Sequence, residues 1–449
     1  MLHKEIFEKI LKLNIGVSQS ENNEMFKLLS DIFPLQLHRY KSGNEHNGWI
    51  VPHDWVIKKA TIEHNGKILF DGTVHPMAVA GYSPSFTGSI SKKELDSHIF
   101  YRENLANVYT FHCMNNYRPW ERIWGFCVPY SEFKNWPEEG NYLINLETEY
   151  LDGEMLVGTA HHSGKLEETV VFNAHTCHPC QFNDGFAGVY AILLMFNWLK
   201  TQKTKYSYKG VFGPEHLGTV HYTASLTEKE LSNFKAGVFT EMVSINNFFA
   251  LQQSFNGDHI IDRVYRLLLK ELDKPFREGP FRTILGNDET VWEGPGLEIP
   301  FISLSRCYDS PFYYDEYHTN NDDLNLNSDE KLNECVDLFI NSIKVLENDF
   351  IVKRKFKGLV ALSNPKYNLY VQREEPGMRK NLSPMQLRLG EIQDQIVRYF
   401  DGNYSVFEMA ERFQVSFQTM LDYINGWVSK GLVEKIEITS LDYYQRMKS

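Results

Sequence analysis

The chain has 449 residues, 42% hydrophobic and 23% charged, a composition that supports folded domains, two or three at this length. A formal charge of −12 disfavours nucleic acid as the main ligand, and no run of about 18 apolar residues is present to span a membrane. Six scattered cysteines fit reduced thiols in a cytoplasmic protein better than a disulfide scaffold, and the amphipathic, acidic start over residues 1–8 lacks the pattern of a signal peptide.

In chain order, residues 1 to about 40 read as two helices, the second over 22–33 and stopped by Pro34. Short alternating segments follow. Those over 55–63 and 67–70 flank Asn65-Gly66, the signature of a tight hairpin. Glycine, proline and aromatic residues dominate 76–129, so 46–149 reads as a β-rich insertion. From about 154 to 350 the pattern alternates, with strands expected over 166–172, 208–212, 236–240 and 299–304, and helices over 188–200, 258–271 and 328–346. Such alternation predicts an α/β core, a sheet flanked by helices. Residues 364–383 read as a linker. Three helices over 385–400, 405–412 and 416–430, then a strand over 432–438, make a winged-helix pattern.

The stretch from Val170 to Gly185 carries the first chemical signal. It places His175 at the carboxyl end of a buried strand and Asp184 nine residues later, just before a helix. Open α/β sheets collect their ligands at such strand ends. Three further segments of the same kind deliver Glu215-His216, Glu241 and His318. Imidazole and carboxylate without paired thiolates suit zinc or a similar ion in a catalytic site with an open position. Two such ions about 3.5–4 Å apart can share one carboxylate. Among sixteen histidines, membership of this ordered set singles out His175 and His318, not residue type. His178 reads either as a donor beside the site or as an alternative ligand.

Cys177-His178-Pro179-Cys180 is a rival signal, since a Cys-x-x-Cys after a strand can be a thiol–disulfide site. Such sites put the first cysteine at a helix N-terminus, and this helix is expected to begin only near Gly185. Arg306 lies on a strand-to-loop path where it could meet a substrate carboxylate. The aromatic run Tyr308, Phe312, Tyr313, Tyr314 and Tyr317 reads as loop packing or pocket wall. Tyr117, Trp120 and Trp124 could cap a cleft, with packing the weightier reading.

In this order the residues resemble the co-catalytic zinc aminopeptidases, a family that includes leucyl aminopeptidases and the mono-zinc glutaminyl cyclases. The resemblance covers roughly 150–350 and the helical N-terminus. Gly286-Asn287-Asp288-Glu289 and Gly296-Leu297-Glu298-Ile299-Pro300-Phe301 resemble that family's Ser-Asp-His segment and Gly-Ile-Pro strand start. The layout is similar to an uncharacterised bacterial group of aminopeptidase-like proteins with a β-rich insertion and a C-terminal winged helix. The resemblance implies a helix-flanked mixed sheet of the zinc exopeptidase type built from 1–45 and 150–355, an insertion domain over 46–149 and a winged-helix domain over 365–449. It implies one or two zinc ions: His175, Asp184 and Glu241 at one, Asp184, His216 and His318 at the other. Glu215 would be the general base, and Arg306, Tyr308, Tyr317 and Asp288 would face a small peptide or aminoacyl amide. Three departures stand out: Cys177 where the family has an aspartate that orients the first histidine, His216 where it has a second glutamate, and Glu241 where aspartate is commoner. The bacterial group's association with polysaccharide synthesis suggests an alternative, a non-peptidase amidase- or transferase-like use of the same fold on a modified amine or sugar-linked amide. A third reading is a regulator whose metal domain is inactive. From Pro384 onward the chain carries seven Lys/Arg and nine Asp/Glu, so the winged helix is expected to contact protein or form a homo-oligomer and not to read DNA.

Overall fold

The computed structural model describes residues 1–112, 114–308, 313–373 and 382–445; Cys113, Phe312 and residues 374–381 of the expected linker lie outside the described residues. The chain divides into two compact units, Met1–Gly257 with Pro275–Asp337, and Asp258–Lys274 with Leu338–Ser449.

The first unit is built on a mixed sheet of eight strands among the described residues. Their order is Gln36–Lys41, Glu154–His162, Ser207–Gly213, Thr169–His175, Phe234–Thr240, Phe301–Ser305, Phe249–Gln252 and Phe276–Gly279. The central strands Ser207–Gly213, Thr169–His175, Phe234–Thr240 and Phe301–Ser305 run parallel. All seven residues of Thr169–His175 are buried, as a strand covered on both faces requires. Helix Ala187–Leu199 packs on that strand, and Gly188 lets it approach the neighbouring strand Phe234–Thr240: a Cβ there would sit 2.3 Å from the Thr240 carbonyl oxygen.

Four of these strands were not expected. Gln36–Lys41 lies beyond the helix stop read at Pro34, where no strand was expected; it is a sheet edge on which only Tyr40 is buried, so its sequence lacks the apolar run of a buried strand. Glu154–His162, Phe249–Gln252 and Phe276–Gly279 form the antiparallel and outer parts of the sheet, the last two only four residues long each.

Within the same unit, strands Lys67–Asp71, Asp54–His64, Asn141–Leu151 and Phe86–Ser91 form a separate antiparallel sheet in that order. Asn65 and Gly66 both take positive φ, which fits the two-residue hairpin turn. This sheet has its own core, including Ile62, Phe70, Trp124, Phe126, Trp136 and Tyr142.

The second unit contains helix Ile260–Glu271, an antiparallel sheet of Asp401–Ser405, Phe350–Arg354 and Val433–Glu437, and helices Pro384–Ile396, Val406–Phe413 and Phe417–Ser429. Each of these last three helices starts at a serine whose side chain accepts an N–H of its first turn. Trp427 on the last of them is fully buried against the Phe400 and Phe356 rings. Among the described residues, no helix of the chain is long and apolar enough to cross a membrane.

Candidate metal centre

The parallel strands all deliver their carboxyl ends to one region. His175 is the last residue of its strand; Glu215 follows Ser207–Gly213 by two residues, and Glu241 follows Phe234–Thr240 directly. Asp184 lies in a single π-turn, Phe182–Phe186, that feeds helix Ala187–Leu199. His318 arrives on the loop after Phe301–Ser305.

Two groups with metal-competent geometry form there, His175, Asp184 and Glu241, and His178, Asp184 and His318; within each, the offered ligand atoms lie within 4.8 Å of one another. Asp184 belongs to both. His175 Nε2 lies 2.9 Å from Glu241 Oε2 and 3.6 Å from Asp184 Oδ1. His178 Nδ1–H donates to the Pro179 carbonyl at 2.8 Å, which turns Nε2 toward Asp184 Oδ2, 2.9 Å away. With Nδ1 holding the proton, Nε2 presents a lone pair to a carboxylate. That pairing is repulsive unless a cation or a second proton lies between them.

The charge balance makes the same demand. Asp184 and Glu241 are each 2% exposed, and among the described residues no lysine or arginine lines the cleft. Burying carboxylates costs several kcal/mol per ion unless each is compensated. Burial pushes Glu241 up to about 8, against the pull of His175 and with the charges of Asp184 and Glu215 adding to the rise. Burial also opposes the charged forms of Asp184 and His175. The facing His175 and His178 rings nevertheless hold Asp184 well below the usual carboxylate range, and the Cys177 sulfur, Asp184 and Glu241 hold His175 well above the usual imidazole value. His318 is pushed down to about 3 by burial, so its imidazole is neutral and available as a ligand. The donor set fits a divalent cation, with a protonated imidazole as the best substitute the protein alone can offer.

Neighbouring loops hold these groups in place. Asp322 accepts the backbone N–H groups of Asn183 and Asp184 at 2.7 and 3.0 Å and the Tyr314 hydroxyl at 2.7 Å, which fixes the turn that presents Asp184. Asn287 donates through Nδ2 to Glu241 Oε2 at 2.8 Å. Asp288 accepts the His216 N–H at 2.6 Å and the Thr219 hydroxyl at 2.8 Å. His216, Met242 and His318 all have positive φ, near +50°. Non-glycine residues held in that region cost about 1–3 kcal/mol each and persist where the surroundings over-determine them, as at functional sites.

The roof of the cleft comes from the segment between the two antiparallel strands Phe86–Ser91 and Asn141–Leu151. The Phe111 ring stacks on His178 at 4.2 Å and meets His318 edge-on. The Tyr117 hydroxyl donates to Glu215 Oε2 at 3.1 Å. Phe111 N–H to the His318 carbonyl (2.8 Å), Arg102 Nη1 to the Tyr317 carbonyl (2.9 Å) and Tyr109 N–H to Asn320 Oδ1 (2.8 Å) join this roof to the loop that carries His318. The enclosed space among Phe111, Tyr117, His175, Asp184, Glu215 and His318 is about 20 Å³, room for one water-sized occupant.

Of the residues expected at the site, His175, Asp184, Glu241 and His318 converge, and Glu215 and Tyr317 line the same cleft. His216 does not join them: it belongs to neither metal-competent group, and its left-handed backbone leaves the ring beside Trp49 in a separate hollow. His178 stands in the place expected of it. Arg306 faces no cleft. It is 2% exposed, donates to the carbonyls of Val243 and Asn247 and to Glu334, and lies 3.6 Å from the Phe249 ring centre, so it is a structural cation. Asp288 is fully buried and braces the turn after Glu215, where a substrate contact was expected. Tyr308 is about half exposed and absent from the cleft lining. Tyr117, read from the sequence as able to cap a cleft, does line it; the roles of Phe111, Asn287 and Asp322 had no readable signal, because each depends on which loops meet. Replacing Arg306 by Ala is expected to lower stability by about 1–3 kcal/mol for each buried carbonyl, of Val243 and Asn247, that loses its donor, while Glu334 retains Lys331 at 3.4 Å. Urea denaturation measures that loss, while zinc uptake by the folded variant stays at the wild-type level.

A family model described as a domain of unknown function (DUF4910) matches residues 4–349. A Clostridium acetobutylicum protein named for polysaccharide biosynthesis and an aminopeptidase-like domain is 26% identical over 346 residues, 77% of each chain. A crystal structure of a Clostridium acetobutylicum protein named with the peptidases superposes with a TM-score of 0.79 at 21% identity, covering 97% of this chain and 96% of that one. A zinc aminopeptidase from Bacillus subtilis superposes with a TM-score of 0.56 at 14% identity, covering 77% of this chain and 94% of that one. The mixed sheet and its flanking helices are thus an aminopeptidase-like fold.

Proposed function

We propose that this chain, which belongs to the family described as a domain of unknown function (DUF4910), is a metal-dependent, aminopeptidase-like hydrolase of amide bonds. The observation that carries the proposal is the pair of His/carboxylate groups sharing Asp184 at the ends of parallel strands, with the Glu215 carboxylate in the same cleft. In this reading His175, Asp184 and Glu241 hold one ion, and His178, Asp184 and His318 hold a second where two are bound. Zinc suits a set of imidazoles and carboxylates, and when bound it polarises a carbonyl and lowers the pKa of water. Glu215 takes a proton from the attacking water and returns it to the departing amine. Asp288 and Thr219 keep the turn after Glu215 rigid, and Tyr117 holds the carboxylate in place until substrate enters. The division into an exopeptidase-like core, a β-rich inserted domain that roofs the cleft and a C-terminal winged helix for protein contacts belongs to this proposal, as does residence in the cytoplasm. Chelation is expected to abolish hydrolysis of aminoacyl amides, and added zinc to restore it. Turnover that survives exhaustive chelation would refute the metal-dependent mechanism.

One observation favours a second reading, an amidase acting on a sugar-linked amide. Beyond Tyr117, which lines both spaces, lies an open hollow of about 430 Å³ lined by Asn47, Trp49, Arg118, Trp120 and His216. Trp120, 62% exposed, stands in this hollow with the half-buried Trp49. Indole faces flanked by amide and guanidinium groups suit a pyranose ring, and the Clostridium acetobutylicum relative is named for polysaccharide biosynthesis. Under this reading Trp120→Ala lowers kcat/KM for an aminoacyl-hexosamine about tenfold, roughly 1.4 kcal/mol, and leaves short aminoacyl amides unchanged. Equal effects on both substrates would remove it.

A further inference from the structure

We infer that Cys177 is a positioning residue for the metal ligand His175, a role that rests on the metal-site reading above. Its side chain is 3% exposed and borders the cleft. The sulfur lies 3.3 Å from His175 Nδ1 and 3.9 Å from Gln181 Oε1. The geometry makes a short chain of donors: the imidazole Nδ1–H donates to sulfur, and the thiol S–H donates to the Gln181 amide oxygen. A proton fixed on Nδ1 leaves the lone pair on Nε2, the nitrogen that faces Glu241 and Asp184. His178 is set the same way by a different acceptor, the Pro179 carbonyl.

Two imidazoles three residues apart are therefore locked in one tautomer by two unlike partners, a soft sulfur and a backbone oxygen. Metal-ligating histidines owe much of their basicity and ring orientation to the acceptor on the far nitrogen, and removing that acceptor typically costs about 10–100-fold in metal affinity. Sulfur is a weak acceptor, so the site works with a looser support than a carboxylate would supply. Cys177 neither touches substrate nor ligates the ion. Its neighbour in the Cys-x-x-Cys spacing, Cys180, is likewise a free thiol and has no part in this contact.

The test is zinc affinity of the full-length chain, measured by competition with a chromophoric chelator. Cys177→Ala is expected to weaken zinc binding about 10–100-fold, with the urea midpoint of the metal-free protein unchanged. Cys177→Asp is expected to restore affinity to the wild-type level or above, because a carboxylate accepts the Nδ1–H better than sulfur. Should the alanine variant fail to fold, Cys177→Ser, with a poorer reach to Nδ1, is expected to weaken binding in the same direction. Wild-type affinity in a folded alanine or serine variant would overturn the positioning role while leaving the metal reading intact. A wild-type chain that takes up no zinc would instead remove both.

Discussion

Glu215→Gln is expected to lower kcat by about 10²–10⁴-fold, the usual contribution of a positioned general base, while zinc content stays at the wild-type level. The two effects separate because Glu215 lines the cleft but belongs to neither metal-competent group. Glutamine keeps the shape and still accepts the Tyr117 hydroxyl, so the roof contact survives. The amide oxygen cannot carry a proton from water to the leaving amine. Steady-state rates on an aminoacyl amide, alongside metal analysis of the same preparation, check both halves. A variant with full zinc and wild-type turnover would strip Glu215 of its role.

Asp184→Asn is expected to produce the opposite pattern. Asp184 is the one residue common to both metal-competent groups, and its charge faces the ring nitrogens of His175, His178 and His318. Asparagine preserves volume but removes that charge and turns a donor toward at least one imidazole. Losing a ligand outright should exceed the 10–100-fold cost of losing a supporting hydrogen bond, so affinity at both positions should drop by more than about 100-fold. Activity then falls as a consequence of an empty site and recovers in part at high zinc. Chelator competition and metal analysis of dialysed protein measure this. Retention of two tightly held ions by the asparagine variant would show that the cluster is not where metal binds.

The comparison of sequence with structure separates what local pattern can encode from what it cannot. Val170-Val171-Phe172 before His175 is a buried parallel strand because its apolar run has no exposed face to serve, and the histidine at its end is carried to the sheet's carboxyl edge. That logic sufficed to bring His175, Asp184, Glu241 and His318 to one place. The exchange of His216 for His178 turns on side-chain direction. His216 follows Glu215 directly, but its positive φ swings the ring toward Trp49, while His178 reaches Asp184 through a loop whose path depends on the Pro179 carbonyl. Arg306 reads as an anion-binding residue because charge is visible in sequence and burial is not; only the packed structure supplies Glu334 and the Phe249 ring. The roof is the least legible part. Phe111 and Tyr117 reach the cleft from a segment about 60 residues before His175, through contacts with the His318 loop and Glu215 that no local period encodes.

Crystals of the zinc-loaded protein, measured on both sides of the zinc absorption edge, test the central claim most directly. The result expected is an anomalous peak bounded by His175 Nε2, Asp184 and Glu241 at about 2.0–2.2 Å, joined at higher zinc by a second between His178, Asp184 and His318. Zinc found at His216 or on surface histidines, with the Asp184 cluster empty, would contradict it.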